Sequence, residues 1–290
     1  GDTMTILEVS HVTHTYGRGT PFKTEALHDV SVSFERGLIT GLIGHTGSGK
    51  STLVQMLNGL IKPDEGEVRL DGANIWEKPK EIRSVRFRVG LVMQYPEYQL
   101  FDETVERDIG FAPRNQGLDE AAVRQRVEEA ADFVGLTREM LAKSPFDLSG
   151  GQKRRAAIAG ILAMHPDVLV LDEPAAGLDP RGRREILGGL TRFRDETGTT
   201  VILVSHSMED MATYCDRVVV MNRGEVFATG TTEEVFARAE ELSAVGLDIP
   251  QISHVAQGLI ARGVPLKGKL YTVAGVRDAL LPLLGGEVKP

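Results

Sequence analysis

Short, almost wholly apolar runs recur along this chain, and each ends in a polar or glycine-rich turn. Residues 38–43, 89–93, 168–171 and 200–204 are such runs, too short for buried helices and apolar on both faces. Between them the period changes to that of a helix. Residues 119–134 place Val123, Val127, Ala130 and Val134 on one face and stop at Gly135, and residues 180–197 form a second long helical segment. Helices alternating with doubly apolar strands predict a parallel sheet covered on both sides. Residues 5–36 are patterned differently. Runs 6–9 and 30–34 alternate like antiparallel strands around a polar loop at 17–24, and 68–72 adds a strand and turn. Residues 217–221 and 225–230 form a hairpin around Asn222-Arg223-Gly224. Residues 95–145 are mainly helical, and a long helix after Gln152 runs to about His165-Pro166, so the helical insertion covers about 95–165. Beyond about residue 238, Ile249, Ile252, Val255, Ala256, Leu259 and Ile260 mark an amphipathic helix, and a shorter one follows Thr272. Two such helices cannot build a core alone and must pack on the main domain or on another chain. The expectation is an α/β protein. A mostly parallel core sheet, an antiparallel β subdomain and a helical subdomain occupy 5–238, and a short helical extension occupies 246–290.

Composition narrows the function. A net charge of -8 over 290 residues argues against nucleic acid as a partner. The single cysteine, Cys215, excludes an internal disulfide framework and fits a reducing compartment, where it reads as a small buried apolar residue. The seven histidines show no zinc-ligand spacing. No stretch approaches the ~20 apolar residues that span a bilayer, and Gly1-Asp2-Thr3-Met4 lacks the character of a signal peptide. Met4 reads as the natural start, and any membrane link is expected to run through a partner.

The stretch that carries chemistry is Gly44-His45-Thr46-Gly47-Ser48-Gly49-Lys50-Ser51, followed by Thr52. It fits G-x-x-x-x-G-K-[ST], with a predicted strand ahead (38–43) and a predicted helix behind (52–60). Strand, glycine loop and helix aim backbone N–H groups and a helix N-terminus at an anion. Gly44, Gly47 and Gly49 let the loop wrap phosphate oxygens closely; Lys50 would reach the β- and γ-phosphates, and Ser51 would ligand Mg²⁺. The chain is therefore expected to bind a nucleoside triphosphate.

Other candidates stand at element ends. Asp172 closes an apolar strand, where a carboxylate can hold Mg²⁺ through water, and Glu173 beside it can polarise an attacking water; a solvated turn is the competing reading. Gln94 at a strand end can touch Mg²⁺ or the water, or simply cap the strand. His206 can donate to a γ-phosphate or serve structure alone. Tyr16, at the mouth of the 17–24 loop, either stacks on a base or packs on the core.

Leu148-Ser149-Gly150-Gly151-Gln152, ahead of a helix and then an apolar strand ending in Asp-Glu, decides among these readings. With it the chain resembles the ATP-binding subunits of ABC transporters over about residues 5–238, with the motifs in family order. The resemblance implies the ABC type of P-loop NTPase fold and a hydrolysable ATP with Mg²⁺. It makes Tyr16 the adenine-stacking aromatic, 44–52 the P-loop, Gln94 the Q-loop glutamine, and Ser149, Gly150, Gly151 and Gln152 the signature. It likewise makes Asp172 the magnesium carboxylate, Glu173 the catalytic base, Asp179 the D-loop aspartate and His206 the switch histidine. In that family two subunits face head to tail, each signature covering ATP on the partner's P-loop. Gln94-Tyr95-Pro96-Glu97-Tyr98-Gln99-Leu100-Phe101, with Ile43 to Gly47, Asn58-Gly59-Leu60 and 173–179, is similar to the second of the two paralogous ATPases of energy-coupling-factor (ECF) transporters, importers of vitamins and metal ions. That likeness implies a sister ATPase (a heterodimer, with a homodimer as the alternative), a transmembrane coupling protein, substrate-binding membrane proteins, and a place on the cytoplasmic face of the cell membrane. It offers Tyr98, Leu100 and Phe101 to a helix of the coupling protein. The other readings are the ATPase of a different ABC transporter, or a soluble ABC ATPase of DNA repair or ribosomes. Against the last stand one P-loop, one signature and no heptad run longer than an ordinary helix.

Overall fold

The computed structural model describes residues 4–285, in which ten strands form two sheets. The strands are β1 (Thr5–Tyr16), β2 (Thr24–Glu35), β3 (Ile39–Ile43), β4 (Glu65–Leu70), β5 (Ala73–Asn74), β6 (Val89–Val92), β7 (Val168–Asp172), β8 (Thr200–Val204), β9 (Arg217–Asn222) and β10 (Glu225–Thr231). Six make the central sheet in the order β10-β9-β3-β8-β7-β6, with every pair parallel except β10 on β9. The other four make an antiparallel sheet, β2-β1-β4-β5.

Side-chain alternation explains the layers. Ile43, Leu169, Leu171, Leu203 and Val220 point into one core, shared with helices Glu120–Val134, Gly150–Leu162 and Pro180–Thr197. Their neighbours Leu42, Val168, Val170, Ile202 and Met221 point into the opposite core, shared with helix Lys50–Leu57 and the antiparallel sheet. A strand buried on both faces offers few polar positions, which is why these runs are almost wholly apolar, with only Thr40 and Thr200 buried among them. Among the described residues no helix is long and apolar enough to cross a membrane.

Several boundaries move. β1 and β2 run twelve residues each, well beyond the alternating stretches, because bulges interrupt them. His11 and Asp29 sit at two of these with positive φ (49° and 46°), and their side chains pair at 2.7 Å. The phosphate-loop helix starts at Lys50 and ends at Leu57, as Asn58 leaves helical geometry and Gly59 turns left-handed. The helix after Gln152 begins at Gly150 and ends at Leu162, short of His165. In the extension, helices Gln251–Ala261 and Val273–Leu280 enclose a minimal core of Ala256, Leu266 and Val276. The last five residues of that segment, 286–290, lie outside the described ones.

Candidate functional site

The loop after β3 is packed closely against its surroundings. A Cβ on Gly44 would stand 2.5 Å from both the Met221 carbonyl oxygen and Ser48 Oγ. Gly49, at φ 100°, would press a Cβ to 2.7 Å from the Ala26 carbonyl. Only glycine fits either place. Ser48 and Lys50 are buried, whereas His45, Thr46, Gly47 and Ser51 line an exposed rim, and Thr52 is buried behind them. The Lys50 ammonium folds back into the loop. It donates to the carbonyls of Gly44 and His45 (3.1 Å to the latter) and to Ser48 Oγ at 3.3 Å. Burial lowers the Lys50 pKa, partly opposed by the carboxylates of Asp172 and Glu173. Those carboxylates are shifted the other way: burial raises both, offset at Asp172 by Lys50 and His206, and at Glu173 by His206.

Glu173 is the most constrained residue here. It stands at φ 52° just past β7, a conformation costly for a non-glycine residue, and its N–H donates to the Val204 carbonyl of β8 at 2.9 Å. His206 Nε2, on the loop after β8, lies 3.4 Å from Glu173 Oε1, yet that oxygen is buried without an aligned hydrogen-bond partner. A buried acceptor so placed suits a water or hydroxyl donor. Tyr16, at the end of β1, is 42% exposed and sets its hydroxyl 3.2 Å from Thr52 Oγ1. Gln94 is exposed just past β6, with no hydrogen bond from its side chain among the described residues.

These residues fit a magnesium nucleotide. The Ser51 hydroxyl, Gln94 amide and Asp172 carboxylate are hard oxygen donors, the class magnesium takes. Among the described residues no cluster of three or more His, Cys, Asp or Glu could hold a metal by itself, so the ion would draw most of its ligands from phosphate and water.

The signature residues are elsewhere. Ser149 caps helix Gly150–Leu162: its hydroxyl accepts from the Gln152 N–H at 3.2 Å, while Gln152 Oε1 accepts from the Ser149 N–H at 3.0 Å. The Gly150 and Gly151 N–H groups remain at the open helix end. Asp179 caps helix Pro180–Thr197 through Gly182 N–H at 2.8 Å. Ser149, Gly151, Gln152 and Asp179 line one cavity of about 840 Å³ together with Arg155, Arg181, Arg184 and Arg192. Among the described residues no hydrogen bond or ion pair joins this group to the phosphate loop.

Sequence reasoning passed over the tie between the two regions. Arg154, one turn into the signature helix, forks onto Glu97 (Nη2 to Oε1 2.7 Å, Nε to Oε2 3.1 Å) and also donates to the Ala176 carbonyl. A charged residue in register with Ile158 and Leu162, on the face of the helix that is otherwise apolar, was the available signal.

Fold and site together define an ATPase of the phosphate-loop class. The ABC transporter family profile matches residues 27–176. An energy-coupling factor transporter ATP-binding protein EcfA2 from Caldanaerobacter subterraneus subsp. tengcongensis is 50% identical, with 97% of this chain and 98% of that protein covered. Its namesake from Symbiobacterium thermophilum is 51% identical over 95% and 96%. The solved structure of CbiO1 from Clostridium perfringens, described as part of the ABC transporter complex CbiONQ, superposes with a TM-score of 0.75 at 39% identity, covering 88% of this chain and 99% of that one. An ATP-binding cassette solved as a dimer in a post-hydrolysis state with ADP and Pi superposes at 0.71 and 27% identity, over 78% and 99%. The chain belongs to the ABC transporter family and, within it, to the energy-coupling factor transporter ATP-binding proteins. Its activity is ATP hydrolysis coupled to transport.

Proposed function

We propose that Lys50, Gln94, Asp172, Glu173 and His206 form the catalytic half of an ATP site, and that Ser149 to Gln152 with Asp179 form the covering half for ATP held by a partner. The observation that carries this is the separation: Lys50, Asp172, Glu173 and His206 converge, while the signature opens into its own cavity. Tyr16 stacks the adenine and the 44–52 backbone cradles the phosphates. Bound at Ser51, Gln94 and Asp172, Mg²⁺ supplies charge neutralisation at the β- and γ-phosphates. Glu173 orients and deprotonates the water that attacks the γ-phosphorus; the bond to the β-phosphate oxygen breaks, giving ADP and phosphate. His206 donates to the γ-phosphate.

The partner is a sister ATPase, giving a heterodimer on the cytoplasmic face of the membrane. It is joined there by a transmembrane coupling protein and a substrate-binding membrane protein for a vitamin or metal ion. The names of the relatives and the CbiONQ complex of the structural neighbour support that assembly. Residues 246–285 rest on their own domain through Ile249 and Tyr271, and the exposed Val255, Ile260 and Val273 offer a face to the paired ATPase.

The test is Glu173→Gln, which keeps shape and removes charge. ATP binding should persist, turnover should fall on the order of a hundredfold or more, and an ATP-bound closed dimer should accumulate. Lys50→Ala should instead lose ATP binding. Turnover and dimer mass are measured in ATP and Mg²⁺ with the sister ATPase present. Near-normal hydrolysis by Glu173→Gln would remove Glu173 from the mechanism.

A further inference from the structure

An exposed aromatic at a strand end is free to rotate, and stacking a base on it costs that freedom. Tyr16 is not free, and what restrains it comes mostly from outside its own strand. Asp64, in the turn before β4, reaches residues on both sides of Tyr16. Its Oδ2 accepts from the Thr15 N–H at 2.7 Å and lies 3.4 Å from Arg18 Nη2. The Asp64 N–H itself donates to the Thr13 carbonyl at 3.0 Å. The same Oδ2 stands 3.2 Å from His14 Nδ1, out of line for a hydrogen bond. The His14 side chain is only 12% exposed and meets the Tyr16 ring with centroids 4.8 Å apart and planes at 86°. That is the edge-to-face geometry aromatic rings favour.

The sheet restrains Tyr16 on one side only. β2 pairs with it through Thr24, but the β1–β4 register shifts between Ser10 and Thr13 and its last pair is Thr13 with Glu65, so on that side Asp64 takes over where the ladder stops. Thr52 completes the restraint from the phosphate-loop helix, and so fixes the ring relative to the phosphate cradle.

We infer that Asp64 and His14 are positioning residues for the base: Asp64 pins the backbone just ahead of Tyr16 at Thr13 and Thr15, and His14 braces the ring. Together they set the affinity for the adenine while leaving the phosphate contacts unaffected. This rests on the reading of Tyr16 as the base-stacking aromatic, so the experiment must be able to fail at either level.

The full chain is titrated with ATP and, separately, with inorganic tripolyphosphate, which engages the phosphate loop without a base. The variants are Tyr16→Ala, Asp64→Ala, His14→Ala and the conservative Asp64→Asn and His14→Gln, each checked for an unchanged thermal midpoint. A base stack is worth about 1–3 kcal/mol. Tyr16→Ala should therefore weaken ATP by about five- to 150-fold, and Asp64→Ala or His14→Ala by about three- to tenfold. Tripolyphosphate affinity should not move. Asp64→Asn, which keeps an acceptor for the Thr15 N–H, should recover most of the loss. If Tyr16→Ala leaves the ratio of ATP to tripolyphosphate affinity unchanged, the stacking reading fails and this inference falls with it. A lowered ratio in Tyr16→Ala but not in the Asp64 and His14 variants overturns the positioning role alone. Equal weakening of both ligands by Asp64→Ala overturns it too, because the residue then supports the loop as a whole.

Discussion

Replacing Glu97 by Gln should destabilise the protein through a charge it leaves behind. Arg154 and Glu97 are 7% and 14% exposed, and their two parallel hydrogen bonds tie the turn after Gln94 to the signature helix. Breaking a buried pair by removing one partner costs about 3–5 kcal/mol. Gln retains one acceptor oxygen, and Arg154 keeps the Ala176 carbonyl, so the loss is nearer that of one charge-assisted hydrogen bond, about 2–3 kcal/mol. The pH dependence gives a second handle. Burial pushes the Glu97 carboxyl up, but the hydrogen bond from Arg154, a backbone N–H and the Arg154 charge outweigh it, and the net shift is downward. A depressed folded value means that the contribution is complete above the ordinary carboxylate range and fades as pH falls through the folded pKa. Urea unfolding of wild type and Glu97→Gln, at pH 7 and in steps into acid, should show the full difference at neutrality and a shrinking one below about pH 4.5. A difference under about 0.5 kcal/mol at pH 7, small even for an exposed ion pair, would refute the reasoning. So would a difference that stays constant into acid.

Three other outcomes are expected. Gly189→Ala should lower the thermal midpoint: a Cβ there runs into the Phe133 carbonyl on the neighbouring helix, and about 1–3 kcal/mol of overpacking exceeds the ~1 kcal/mol that alanine gains in a helix. An unchanged midpoint would mean that the helices separate easily. Because burial raises the Asp172 pKa, the folded nucleotide-free protein holds that proton more tightly than the unfolded chain; stability should fall as pH rises from 3.8 through the raised value, and Asp172→Asn should flatten that fall in acid-to-neutral unfolding series. Cys215, buried with its thiol pushed up by burial, should resist a thiol reagent in the native state and react once the chain is unfolded; rapid native labelling would contradict its place against Met211.

What was legible in the sequence follows a physical rule. Features whose cause is local could be read: the phosphate loop, because phosphate demands glycine at fixed spacing, and β3, β7 and β8, because burial on both faces leaves few polar positions. Features that depend on distant partners could not. The lengths of β1 and β2 were hidden by bulges whose residues, His11 and Asp29, match only across the sheet. The start of the phosphate-loop helix at Lys50 depends on Gly49 being left-handed, which the packing of Ala26 and Gly224 requires and no period reveals. Arg154 is the sharpest case. It stands 57 residues from Glu97 and 22 from Ala176, so nothing along the chain joins them. Yet this one guanidinium links the turn that follows Gln94, the helix that Ser149 caps, and the segment between Glu173 and Asp179. Because that side chain is buried and rigidly forked, displacement of any one of the three segments must either strain its hydrogen bonds or carry the others along. The motifs could be recognised one at a time from their letters, but their mechanical connection is a property of the packed interior.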